Sequence, residues 1–168
     1  MGEPIGAARG ETDVLVRLLE APTEADIAEL ASLFDHYRAH YGQAIQAGQS
    51  AAWLQDNLRS GRLAAFVAEM DGELVGFATT LDVPASLRLG HYWQIRDLFV
   101  VPSRRRLGVA RILLDRIRSS ATAAGALRLA IQTEVDNLGA MRLYEERGFA
   151  PVEGYRGLTL PLVADEGS

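Results

Sequence analysis

The segment from His91 to Glu134 restricts the fold of this chain more than any other. "HYWQIRDLFVV" (91–101) is a long apolar and aromatic run that reads as a strand, and Pro102 follows it at once. From about Gly108 to Ala124 the period changes to helical. Val109, Leu113, Leu114 and Ile117 share one face, while Arg111, Asp115 and Arg118 take the other. "LRLAIQTE" (127–134) is extended again. A strand–helix–strand crossover makes its two strands parallel neighbours. The preceding stretch "LAAFVAEMDGELVGFATTLDV" (63–83) demands the opposite pairing, because Asp71-Gly72 between two apolar runs marks a tight antiparallel hairpin. The fold class is therefore α/β, with a sheet that mixes parallel and antiparallel pairs.

The rest of the chain fits around that frame. "DVLVRLLE" (13–20) reads as a first strand. A helix follows, with Thr23 as N-cap and Asp26 three residues on, and Gly42 ends it. Within it Ile27, Leu30, Leu33, Phe34 and Tyr37 recur at helical spacing. Ser50 is expected to open a shorter helix that Gly61 closes. Pro84 to Gly90 reads as a loop, 137–148 as a helix, and the stretch after it as two short strands around Gly154 and Gly157. No repeat, linker or low-complexity segment interrupts 12–163, so a single domain is expected there, with disordered ends at 1–11 and 164–168.

The entrance to the helix at Gly108 poses a question of charge. Helix N-termini favour acidic residues, yet Arg104, Arg105 and Arg106 stand just before this one and Arg111 just inside it. A strand passing through a glycine-containing loop into a helix N-terminus is a general anion site. The backbone N–H groups of Leu107 to Arg111 would point at the anion, and Gly108 and Ala110 would let it come close. A GxGxxG spacing is absent, so dinucleotide binding on that pattern is not supported.

Composition narrows the chemistry. All 17 basic residues are arginine, which excludes lysine Schiff bases and the lysine-dependent P-loop. With no cysteine there is no thiolate nucleophile and no disulfide. A net charge of −5 argues against a nucleic-acid partner. There is no secretory h-region or 18-residue apolar run, and Gly6 stands where a myristoylation signal wants Ser or Thr. No membrane partner is expected, and the expected location is cytoplasmic.

"RRLGVA", Arg105 to Ala110, resembles the R/Q-x-x-G-x-G/A signature of the GNAT superfamily of acetyl-CoA-dependent N-acetyltransferases. About thirty residues on, "NLGAMRLYEERGF" resembles that family's N-x-x-A-x-x-L-Y-x-x-x-G-F motif, with Asn137, Ala140, Leu143, Tyr144, Gly148 and Phe149 in register. The resemblance implies a mostly antiparallel sheet whose central parallel strand pair splays apart to admit pantetheine. It implies that acetyl-CoA is the donor, with no metal. Leu98, Phe99 and Val100 would meet the pantetheine arm, by main-chain pairing of the β-augmentation kind. Arg105, Arg106, Leu107, Gly108, Val109, Ala110 and Arg111 would hold the diphosphate, and Asn137 would bond the arm or cap its helix.

N-acetyl transfer needs a neutral amine, a stabilised oxyanion and a proton for the leaving thiolate. Tyr144 falls where the family places its general acid; a core tyrosine is the plainer alternative. Asp97 and Glu134 are candidates for collecting the amine's proton. Where polyamine-type relatives carry "EDL", this chain reads "RDL", and Arg96 would face a cation if it points into the groove. Asp35, Tyr37, Arg38 and Tyr41 are candidates for the acceptor wall. His36 and His40 have an i, i+4 metal spacing but no further ligand in view. The expected reaction is direct transfer of an acetyl group to a small primary amine in a ternary complex. A protein N-terminal or lysine acetyltransferase and a non-catalytic acetyl-CoA-binding module are the alternatives. Homodimers are frequent in the family.

Overall fold

The computed structural model describes residues 13–154 and 156–162; the ends expected to be disordered lie outside them. The elements run β1 (Leu15–Leu18), α1 (Glu24–His40), α2 (Ala47–Arg59), β2 (Ala64–Met70), β3 (Glu73–Ala85), β4 (Gly90–Val100), α3 (Val109–Ala123), β5 (Leu129–Ile131) and α4 (Leu138–Glu146). The five strands lie side by side in chain order. The first three pairings are antiparallel and β4–β5 is parallel, as the crossover requires.

Local chemistry sets several boundaries. Thr23 caps α1 in a full capping box with Asp26, and the Asp26 carboxylate also accepts from Arg17 at 2.7 Å, which ties α1 to β1. Asp71 and Gly72 take φ of 54° and 79° and turn β2 into β3 in two residues. Two cores follow from strand alternation. Phe66, Met70, Ala78 and Ile95 face α3 with Val109, Leu113, Leu114 and Ile117. Val67, Phe77 and Phe99 face α1 and α2 with Leu30, Phe34 and Leu54. Gly76 lets β3, β4 and the start of α3 meet: a Cβ there would stand 2.8 Å from the Phe99 carbonyl oxygen.

Four expectations need correction. Helix α2 begins at Ala47, three residues before Ser50, whose hydroxyl instead bonds the buried Asp35 carboxylate at 2.6 Å. Strand β3 runs straight through Pro84, which pairs with His91, so the expected loop shrinks to a 3-10 turn at Ser86–Arg88 and a left-handed Leu89. Proline is tolerated there because β2 ends opposite Thr80 and leaves that stretch of β3 as an edge. Strand β5 has only three residues. Among the described residues no strand forms after α4; Leu158, Leu160 and Leu162 alternate as a strand would, but they are exposed and no neighbour pairs with them.

Candidate functional site

The parallel pair is short. Trp93, Gln94 and Ile95 pair with Leu129, Ala130 and Ile131, and beyond Ile95 the strand β4 continues without β5 beside it. The register with β3 shows why the strands part. Thr79 lies opposite Asp97 and Thr80 opposite Ile95, so Arg96 is an extra, bulged residue that bends β4 at this point. Beyond the bulge, the Val101 N–H donates to Val75 O at 2.9 Å. By alternation the peptide groups of Phe99 also face β3, and those of Leu98 and Val100 face the gap. The Phe99 and Val100 side chains are core, at 6% and 8% exposure, so this stretch offers its backbone edge rather than its side chains.

The gap leads to the arginine loop. Arg106 adopts φ 66° and Gly108 φ 86°, and Gly108 is the N-cap of α3 with no side-chain cap. No backbone N–H from Arg106 to Arg111 donates to another described backbone group. A Cβ placed on Gly108 would meet nothing within 4 Å, so space lies open above these donors. Arg105 turns back: its Nε donates to Val100 O at 3.0 Å and its guanidinium lies 5.8 Å from the Phe99 ring centre. Arg104 reaches Asp71 at 3.6 Å and Arg111 reaches Glu146 at 3.4 Å.

At the other end of the gap, phenols and carboxylates gather. Tyr37 packs edge-on to Tyr41, with ring centres 5.2 Å apart, and lies against Phe77 and Phe99. Burial and the Asp97 carboxylate beside it push the Tyr37 phenol far above its ordinary value. Asp97 is in turn bonded by the Thr79 hydroxyl. Burial, then Glu134, raises Tyr41 as well. Glu134 is held below the usual carboxylate range, first by its own backbone N–H and then by the Asn137 amide, Thr133 and Tyr41, against the opposing pull of burial. Asn137 caps α4, its Oδ1 accepting from the Ala140 N–H at 3.2 Å. Tyr144, about two turns along α4 from Asn137, packs against Phe149 and is pushed up to about 12, by burial first and then by Tyr41 and Glu134.

Thus Tyr37, Tyr41, Asp97, Glu134, Asn137 and Tyr144 come together from α1, β4, the β5–α4 loop and α4. Two other expected wall residues do not join them. Asp35 is buried and bonded to Ser50, and Arg38 bonds Asp35, Ser50 and the Ala44 carbonyl, so the pair locks α1 to the start of α2. His36 and His40 line a different groove, of about 790 Å³, with Glu29, Glu73, Arg104 and Arg105. Among the described residues no three ligating side chains gather as a metal would need. Thr79 is a site residue that sequence reading missed, because only the cross-strand register brings it to Asp97.

A parallel pair that parts after three residues, an N–H-rich helix start at one end of the gap and a carboxylate–phenol cluster at the other define an acyltransferase of the GNAT type. The Acetyltransferase (GNAT) family profile matches residues 30–149. The chain is 34% identical over 131 residues to the uncharacterized N-acetyltransferase YhfO of Bacillus subtilis, covering 78% of this chain and 88% of that one. It is 28% identical to an aminoglycoside N(6')-acetyltransferase type 1 of Salmonella typhimurium, over 71% of this chain and 86% of that one. Among solved structures, a probable acetyltransferase superposes with a TM-score of 0.81 at 29% identity, over 91% and 99% of the two chains. An acetyltransferase of Clostridium acetobutylicum solved with acetyl-CoA does so at 0.68 and 18% identity, over 88% and 96%. This protein belongs to the GNAT acetyltransferase family.

Proposed function

We propose that this chain transfers an acetyl group from acetyl-CoA to the primary amine of a small molecule, directly, within a ternary complex. One observation carries the reading: a single free strand edge, Arg96–Val100, runs from a loop of unpaired N–H groups to a cluster of two carboxylates and three phenols. A relative named for acetylating aminoglycosides and a neighbour that holds acetyl-CoA support it.

The residues fit the donor. The N–H groups of Leu107 to Arg111 with Arg105 and Arg106 suit a diphosphate, and the open space above Gly108 leaves room for it. The peptide groups of Leu98 and the N–H of Val100, whose carbonyl already accepts from Arg105, suit an amide-bearing arm. Asn137, its oxygen capping α4 and its NH₂ reaching Glu134, keeps a second N–H to donate. Bound there, acetyl-CoA supplies an activated thioester. Tyr144 Oη remains protonated at neutral pH, since its pKa is pushed up to about 12, and it holds a proton for a departing thiolate. Glu134 stays ionised and, with Asp97, can accept a proton from an incoming ammonium directly or through water.

Thermal unfolding with and without acetyl-CoA tests the site. A ligand at 100 times its Kd adds about 2.7 kcal/mol, a rise of roughly 5–10 °C for a chain of this size. No rise at millimolar acetyl-CoA overturns the reading. Tyr144→Phe is expected to lower kcat for thiol release about 10²-fold or more while the acetyl-CoA shift persists; equal turnover removes Tyr144 from the acid role.

A further inference from the structure

The bulge in β4 decides where Arg96 can point. Phe99 and Asp97 lie opposite Phe77 and Thr79, on the face that packs under α1. Ile95 lies on the other face, in the core against α3. Two residues apart on a regular strand, Ile95 and Asp97 would share a face. They do not, because Arg96 is inserted between them and reverses the alternation. The face of Ile95 is closed by packing, whereas Arg96 is exposed. Its charge also reaches the Tyr37 phenol, on the α1 side, and opposes the rise of that group. Arg96 and Asp97 therefore stand next to each other on the α1 side of the strand, beside Tyr37, one positive and one negative.

Arg96 has no ion pair or side-chain hydrogen bond among the described residues. Neither nearby carboxylate is the partner of Arg96: Asp97 accepts from Thr79 and Glu134 from its own backbone N–H, and both keep lone pairs for a further donor. Nor does Arg96 serve the loop that suits the diphosphate. The strand from Arg96 to Val100 alone spans about 13 Å, and the turn at Pro102–Arg104 lies beyond. A planar guanidinium with five donors, open to solvent beside an amine-receiving cluster, matches a carboxylate or phosphate oxygen pair.

We propose that Arg96 selects acceptors bearing an anionic oxygen group, carboxylate or phosphate, a few atoms from the amine that is acetylated. The ammonium would settle toward Asp97 and Glu134 while its own anionic group meets Arg96. A linear diamine would instead bring its second cation against the guanidinium, and like charges at that range repel. The inference rests on the acetyl-transfer reading above and names the substrate class of that site.

The test compares thiol release from acetyl-CoA with four acceptors: ethanolamine, β-alanine, phosphoethanolamine and putrescine. For the wild type, kcat/KM for β-alanine or phosphoethanolamine should exceed that for ethanolamine at least tenfold, with putrescine lowest. Arg96→Gln should cut that preference at least tenfold, mainly through KM of the anionic acceptors, and Arg96→Lys should restore part of it. Arg96→Glu should move the preference toward putrescine. Which anionic acceptor leads separates the carboxylate from the phosphate form of the proposal. A wild type that favours putrescine or ethanolamine overturns the inference and leaves acetyl transfer standing. So does an Arg96→Gln preference equal to the wild type's in a variant of unchanged Tm. A wild type that binds acetyl-CoA but acetylates none of the four, while acetylating other uncharged or cationic amines, overturns the inference alone. Failure to acetylate any amine overturns the transfer reading, and this inference with it.

Discussion

The two sides of β4 are built to different ends. Toward β3 it pairs over ten residue positions; toward β5 it pairs over three and then stands alone. The β3 side joins two cores, anchored by Phe77 and Phe99 on one face and Ile95 on the other. The β5 side holds peptide groups of Leu98 and Val100, of which the Val100 carbonyl accepts from Arg105, and helix N–H groups without a backbone partner among the described residues. Continuous hydrogen bonding fixes the strand on one edge, and that fixity lets the other edge stay unpaired without collapsing. Stability and binding are thereby assigned to opposite edges of one strand.

The sharpest way to break this division is Gly76→Ala. The new methyl would press on the Phe99 carbonyl at 2.8 Å and on Val100 and Val109, from the fixed side into the binding side. Overpacking of this kind costs about 1–3 kcal/mol, so Tm should fall by roughly 3–10 °C, and the acetyl-CoA shift should shrink with it. An unchanged Tm would mean that the two edges are not coupled through Gly76.

Gly108→Ala acts on the binding edge. The left-handed φ of 86° costs an alanine about 1–2 kcal/mol, and the methyl would project into the open space above the loop. The acetyl-CoA shift should be lost out of proportion to the fall in Tm, and calorimetric titration would measure it. A retained shift would separate this loop from donor binding.

The smallest effect belongs to the fixed side alone. Hydrogen bonds from Thr23, then from Arg17, lower Asp26 from 3.8 to about 2. A depressed carboxyl stabilises the fold above its unfolded pKa and ceases to do so as pH falls through the folded one. The Tm difference between wild type and Asp26→Asn should therefore be full above about pH 4 and fade toward pH 2, with the response to acetyl-CoA at neutral pH untouched. A difference that does not vary with pH would assign the variant's cost to the cap rather than to charge.

How much could be read in advance followed the range of the forces involved. The Asp71-Gly72 turn and the Thr23–Asp26 cap are local chemistry, and both were legible in the chain. The crossover fixed the parallel pair because handedness and length leave few options. Ser50 misled because its hydroxyl serves Asp35, fifteen residues away, rather than its own helix. Tyr37 and Asp97 could be named as candidates singly, but that they face each other depends on α1 lying across β4. The placement of Arg96 was the least legible, since a bulge exists only relative to a partner strand and a single chain gives no register.

That bulge has a consequence for how such a protein can diverge. Position 96 is an exposed insertion in a strand whose neighbours Ile95 and Phe99 are core, so a point substitution there changes the charge beside Asp97 while disturbing no packing. Removing the residue would close the bulge and keep the faces, because Ile95 and Asp97, already opposite Thr80 and Thr79, would then be consecutive and alternate as they do now. On the proposal above, what the site admits can therefore change by replacement or loss of a single residue while both cores and the Thr79–Asp97 bond stay in place.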